Sequence, residues 1–323
     1  MPLEFTPVSA SRSIVTTGST TPVVERIKGI DSAFEEFLNF DIANGAASGD
    51  TIATYKSQVK LFLQWCIDVE LNPLLAQTQH IKLYRKYLIN KAYKTATINL
   101  KLGVVRRFYD ALIDHQFVSS NPAKSVKAPV NRRSKVTKHI SKEQFQKLLS
   151  LTEGDDPKLK RDRVIIGLMG LHGLRTIEVM RLSFGDIFQR DGRHIVNVAS
   201  KRAEREVILR KDFYVWLVSH LVGKKLVKRL PIISSLSGNN YGNRISRSGI
   251  RNITNSYLAQ VGARRNDINL SNHALRHHYA TQLYAATEDI ALVQESMGHS
   301  DPRTTSKYVA LVNRVAAADF IEI

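Results

Sequence analysis

The chain has 323 residues, enough for two ordinary domains with separate cores, and its 43% hydrophobic and 24% charged content is that of a soluble globular protein. Its 47 Lys and Arg against 29 Asp and Glu give a net charge of +18, a surplus that favours a polyanion, because each neutralised phosphate releases condensed counterions. One cysteine, Cys66, excludes an intrachain disulfide, and neither zinc-finger spacing nor an apolar run of about twenty residues occurs, so a cytoplasmic, nucleic-acid-binding protein without membrane contact is expected.

Residues 1–28 are rich in Ser, Thr, Pro and Val, show no period, and read as a flexible arm. Residues 29–122 read as a small all-helical domain. Ile30–Phe40 supplies one helix, and Asp50 is placed to cap a second, in which Ile52, Tyr55, Val59, Phe62, Leu63 and Cys66 share a stripe. A third spans Ile81–Leu88. Thr95 is placed to cap a fourth, with Ile98, Leu102, Val105, Tyr109 and Leu112 on its inner face. Cys66, on an apolar stripe, is expected to be a buried, inert thiol. Lys101, Arg106 and Arg107 lie outside the stripe of the fourth helix and form either a solvated face or a contact with the DNA backbone.

Residues 123–139 break the helical pattern, between Pro122 and Pro129 and beyond. Lys124, Lys127, Arg132, Arg133, Lys135 and Lys138 make this segment basic with no acid among them. It is a solvated linker or a positively charged strap across a duplex. From 140 to 323 the chain is again mostly helical, beginning at Ser141 with Glu143 in the first turn. One hairpin, Ile195–Ala199 with Arg205–Leu209, interrupts it, and Pro231–Asn243 reads as loop. The expected fold is mainly α with a small β-hairpin, in two domains.

Chemistry-bearing residues concentrate in the second domain. In Gly173-Leu174-Arg175-Thr176-Ile177-Glu178, Arg175 and Glu178 project on one side if helical. In Ser271–Leu283, Ser271 or Asn272 caps a helix buried through Leu275, Tyr279 and Leu283. His273 and Arg276 are then separated by a rise of about 4.5 Å, and both can face one oxyanion near the helix N-terminus. A core histidine beside a surface arginine is the bland alternative. A metal pair, His273 with His277, is disfavoured by the absence of acids and of a His-Glu-x-x-His pattern. Met297–Pro302 reads as a turn exposing His299. Tyr308 alone would be a packing residue, but beside two guanidiniums and two imidazoles it has the makings of a nucleophile toward phosphorus.

The ordered set Arg175, Lys201, His273-x-x-Arg276, Gly298-His299 and Tyr308 resembles that of the tyrosine recombinases of the phage integrase family, closest in layout to the Xer type, from about residue 30 onward. The resemblance implies a two-domain DNA clamp, with a helical core-binding domain and an α+β catalytic domain. It implies that Arg175 and Arg276 hold the scissile phosphate, that His273 and His299 supply hydrogen bonds and proton transfer, and that Glu178 supports the site. Tyr308 would form a 3′-phosphotyrosyl link while Lys201, from the hairpin, protonates the leaving 5′-oxygen. Neither metal, ATP nor any other cofactor is implied. Four protomers on two DNA sites are implied; the apolar tail after Tyr308 either packs on its own domain or, as is frequent in the family, docks on a neighbour, and the exchange is the favoured expectation. Two features depart from the family pattern: the hairpin Ala199-Ser200-Lys201-Arg202-Ala203-Glu204-Arg205 lacks the usual glycines, and His172 stands where a small hydroxyl residue is common. A type IB topoisomerase-like enzyme, a non-catalytic DNA-binding protein and a metal-dependent nuclease are the other classes open to such a sequence.

Overall fold

Two runs of apolar periodicity give two units, Met1–Ser134 and Lys135–Ile323. The computed structural model describes residues 34–39, 42, 47–129, 139–199, 204–224, 227–265, 268–298, 305 and 308. Among the described residues no helix is long and apolar enough to cross a membrane.

The first unit is helical, with α1 (34–39), α2 (Gly49–Asp68), α3 (Thr78–Asn90) and α4 (Thr95–Asp114). The cap of α2 is Ser48, whose Oγ accepts from the Thr51 amide, and Asp50 sits inside the first turn. Lys94, not Thr95, holds the cap position of α4, and its side chain makes no cap hydrogen bond. Phe62 of α2 is the centre of the core. Its ring lies 5.0 Å from that of Tyr84, 6.0 Å from Trp65 and 6.1 Å from both Phe108 and Tyr109. Cys66 is buried beside them, and burial pushes its thiol up to about 12, as expected of an inert packing group.

The basic residues of α4 do not share one face. Lys101 is only 5% exposed: its Nζ donates to Gln58 Oε1 at 2.7 Å and lies 5.0 Å from the centre of the Tyr93 ring. The expectation of an exposed Lys101 available to DNA is therefore corrected, since a partner on α2 lets the ammonium turn inward. Arg106 is half-buried, donating through Nε to the Ala123 carbonyl and through Nη2 to the Val126 carbonyl. Ala123 and Val126, at the start of the basic segment, are buried in this unit's core. Arg107, Lys124 and Lys127 are exposed, whereas Arg132 and Arg133 lie outside the described residues. Replacing Phe62 with Ala removes the ring on which these aromatics converge. A loss of about 3–5 kcal/mol is expected, read as a lower urea midpoint of Trp65 fluorescence.

The second unit contains α5 (Lys142–Ser150), α6 (Pro157–Gly170), α7 (Thr176–Arg181), β1 (Ile187–Arg190), β2 (Arg193–Ala199), β3 (Glu204–Ile208), α8 (Lys211–Leu221), α9 (Arg247–Gln260), β4 (Arg264–Arg265), β5 (Ile268–Asn269), α10 (His273–Thr287) and α11 (Ile290–Met297). Ser141 and Gln144 cap α5 reciprocally. The C-terminal half of α6 is apolar all round, with Val164, Ile165, Ile166, Leu168 and Met169 buried, so it lies in the middle of the unit. It is packed by α5, α8, α9 and α10.

The expected hairpin is the β2–β3 half of a three-stranded antiparallel sheet, ordered β1-β2-β3. The added strand β1 is joined to β2 through Asp191 and Gly192, both at positive φ (51° and 70°), which is the two-residue turn that matches strand twist. In β3, Arg205 and Val207 turn inward while Glu204, Glu206 and Ile208 are exposed.

His172 joins α6 to the segment after β3. Its Nε2 accepts the Arg210 amide at 3.1 Å, so Nδ1 carries the proton and donates to the Gly167 carbonyl at 3.1 Å. Burial holds this imidazole down at about 4, against the pull of the Gly167 carbonyl. Burial, with Lys224 beside it, does the same for His220. Both stay neutral in the folded unit down to about pH 4 but titrate near 6.5 when unfolded. The unfolded state then binds more protons in that window, so stability is complete above about 6.5 and declines as pH falls toward about 4. Urea unfolding followed by Trp216 fluorescence in a Trp65→Phe background should give a lower midpoint at pH 5 than at pH 7.5. His172→Gln together with His220→Gln should flatten that dependence.

Candidate active site

The loop between α6 and α7 must turn sharply and keep close to α10. Gly173 does this with φ of +68°, and a Cβ there would lie 2.5 Å from the Tyr279 ring. Two residues later Arg175 takes the cap position of α7, and Glu178 reaches back to it: Oε2 accepts the Arg175 amide at 2.7 Å. The α7 start thereby presents a carboxylate and a guanidinium side by side, as the three-residue spacing predicts.

Glu178 is 2% exposed and gathers three arginines from three elements. Arg175 Nη1 donates to its Oε1 at 2.8 Å. Arg205, from the inward face of β3, donates through Nη1 to Oε1 and through Nη2 to Oε2, both at 2.9 Å. Arg276 Nη1, from α10, lies 3.7 Å from Oε2. Burial alone would raise the carboxyl, but the Arg205 hydrogen bonds and charge, followed by the Arg175 bonds, hold it down at about 2. Arg276 is itself buried, and its Nη1 and Nη2 donate to the carbonyls of Gly173 and Met297. Arg175 Nη2 donates to the Gly298 carbonyl at 3.1 Å. Asn272 ties the N-terminus of α10 to that of α7 through a hydrogen bond from Nδ2 to Thr176 Oγ1; it caps no amide with its side chain.

Arg175 and His273 open on a cleft of about 570 Å³ that is also lined by Arg247, Arg251, Arg264 and Asn255, with no acid in its wall among the described residues. The imidazole of His273 is held below its ordinary value, first by partial desolvation and then by Arg276, Arg175, Arg251 and Arg247. Tyr308 is 2% exposed, and its Oη lies 2.6 Å from His277 Nδ1. Burial pushes the phenol up to about 12, with Arg276 and Arg175 opposing.

Of the residues expected from sequence, Arg175, Glu178, Arg276 and His273 thus share one locality, and Tyr308 is close enough to feel both arginines. Lys201 and His299 lie outside the described residues, as does the apolar tail after Tyr308. His172, marked above as a departure, has a structural role behind the site. Arg205, Arg247, Arg251 and Arg264 are further cations that sequence reasoning did not assign. The stretch 242–265 has five arginines and no acid, which is the signal for the last three. No group of acids, histidines or cysteines that would hold a metal occurs among the described residues.

A mainly helical unit that aims several guanidiniums at one cleft is suited to holding a phosphate ester. Residues 138–314 match the phage integrase family and residues 34–116 match the phage integrase N-terminal SAM-like domain. The chain belongs to the phage integrase family. It is similar to tyrosine recombinase XerD of Proteus mirabilis, with 27% identity across 86% of this chain and 88% of that one. It is also similar to tyrosine recombinase XerC of Vibrio vulnificus (strain YJ016), with 28% identity across 92% and 91%. Among solved structures, XerH site-specific recombinase bound to palindromic difH substrate superposes with a TM-score of 0.70 at 18% identity, over 94% of this chain and 91% of that one. A lambda integrase dimer bound to a COC′ core site gives 0.66 at 18% identity, over 86% and 94%. These two share the fold.

Removing the hub carboxylate should leave three guanidiniums facing one another. Glu178→Leu is expected to cost about 3–5 kcal/mol, measured by urea unfolding at neutral pH.

Proposed function

We propose that the protein is a site-specific DNA recombinase that breaks and rejoins strands through a covalent tyrosyl intermediate. The observation that carries this reading is the sharing of one buried carboxylate by Arg175 and Arg276, at 2.8 and 3.7 Å, within the segment that matches the family. Fixed guanidiniums of this kind stabilise charge on the equatorial oxygens of a phosphodiester under attack without reorganising. In this reading Tyr308 attacks phosphorus in line, forming a 3′-phosphotyrosyl bond and releasing a 5′-hydroxyl. His273, at the cleft, and His299 bond the same phosphate, and Lys201 protonates the departing oxygen. A 5′-hydroxyl from another strand reverses the step, so no ATP is consumed. Guanidinium and imidazole groups do the work of a cation, and no metal is required.

The helical unit acts as the core-binding domain, residues 140–323 as the catalytic domain, and residues 123–139 as the basic connection between them. Arg106, Arg107, Lys124 and Lys127 contact the DNA backbone, with Arg132 and Arg133 from the same segment; the buried Lys101 is not among them. Double-stranded DNA is the partner. Four copies form the synapse, in keeping with the lambda integrase tetramer bound to a Holliday junction whose structure shares this fold. The protein acts in the cytoplasm, at the nucleoid.

On a suicide substrate nicked near the crossover site, wild type should give a DNA-linked band on a denaturing gel, with or without EDTA. Tyr308→Phe should give none while binding DNA as before. An adduct with the Phe variant, or its loss on chelation in wild type, would overturn this reading.

A further inference from the structure

α10 carries two histidines one turn apart that meet different surroundings. His273 opens on the arginine cleft. His277 instead meets Tyr308: Nδ1 is 2.6 Å from the phenolic Oη, and the two rings are 5.7 Å apart. Tyr308 packs with Ala280, Tyr284, Val293 and Met297, and His277 stands at its hydroxyl. His277 is not one of the motif residues to which the chemistry above was assigned.

We propose that His277 is the general base for strand cleavage, taking the phenolic proton of Tyr308 on Nδ1 as Oη bonds to phosphorus. The inference rests on Tyr308 being the nucleophile. For Nδ1 to accept, the resting imidazole carries its proton on Nε2. In the forward step the Oη–H bond breaks and the oxygen forms the Oη–P bond. The P–O5′ bond breaks with its electron pair on O5′, which takes a proton from the general acid, Lys201 in the reading above. On rejoining, the new 5′-hydroxyl returns its proton to that acid, and His277 gives its proton back to Tyr308. Protons therefore balance over a full cycle, and no external base is consumed.

Two further observations agree. With the phenol pushed up to about 12 by burial, free phenolate is only about 10⁻⁵ of the population at pH 7. Attack must then lose the proton as the new bond forms, and a base in hydrogen-bond reach is the efficient way to do so. His273, by contrast, shares its cleft with Arg175, Arg247 and Arg251, where an anion would sit, and the distance at Tyr308 Oη belongs to His277.

The test is single-turnover cleavage of the nicked suicide substrate by full-length His277→Asn and His277→Ala. Asn keeps a hydrogen-bond acceptor near the position of Nδ1 but cannot take up the proton. If the Ala variant fails to fold, the Asn variant decides. Asn should bind DNA like wild type and form the adduct about 10²-fold more slowly at pH 7. Its rate should climb about tenfold per pH unit between 7 and 9, because attack now waits on free phenolate, while wild type stays flatter. An Asn variant within a few-fold of wild type would overturn the proposal, and so would a slow variant whose pH profile parallels wild type, since that marks a misplaced phenol. Failure of the nucleophile assignment itself would appear separately, as an adduct formed by Tyr308→Phe.

Discussion

A single buried carboxylate organises the second unit. Glu178 accepts from the backbone and side chain of Arg175 and from both Nη groups of Arg205, with Arg276 at 3.7 Å. Three guanidiniums against one carboxylate leave two positive charges over at a largely desolvated place. Without Glu178 their mutual repulsion would scatter them, because burying unpaired charge is costly. With it they stay together and remain under-neutralised, which is the condition for drawing in an anion.

Backbone carbonyls complete the placement. Arg276 donates to Gly173 and Met297, and Arg175 donates to Gly298. Arg276 is thus held on two sides by groups that do not titrate, and Arg175 by one such group with Glu178 on its other side. A guanidinium fork fixed this way spends little entropy when it meets a phosphate. Behind it, His172 serves as a neutral brace between α6 and the segment that follows the Arg205 strand.

Local features of this architecture could be read directly from the chain. The apolar stripes of α2 and α4, the Arg175–Glu178 spacing and the placement of His273 and Arg276 on one helix are all short-range regularities, and they recur in the structure. What escaped depends on partners distant in sequence. Lys101 looks exposed by periodicity alone, and only Gln58, on another helix, turns it inward. Arg205 sits 27 residues from the glutamate it pairs with. The encounter of His277 with Tyr308 spans 31 residues. The strand β1 is a different case, since Asp191-Gly192 is a local turn signature but the strand before it is only four residues long and half of it is polar.

The bond from Arg276 to Gly173 bridges 103 residues, and the one to Met297 reaches forward by 21. Synthesis proceeds from the N-terminus, so Arg175, Glu178 and Arg205 leave the ribosome well before α10 and α11 exist. A nascent or prematurely terminated polypeptide therefore carries a patch that can attract nucleic acid but not the assembled centre needed to cut it. The bonds that fix Arg276 therefore close only after α11 has been made, later than the patch formed by Arg175, Glu178 and Arg205.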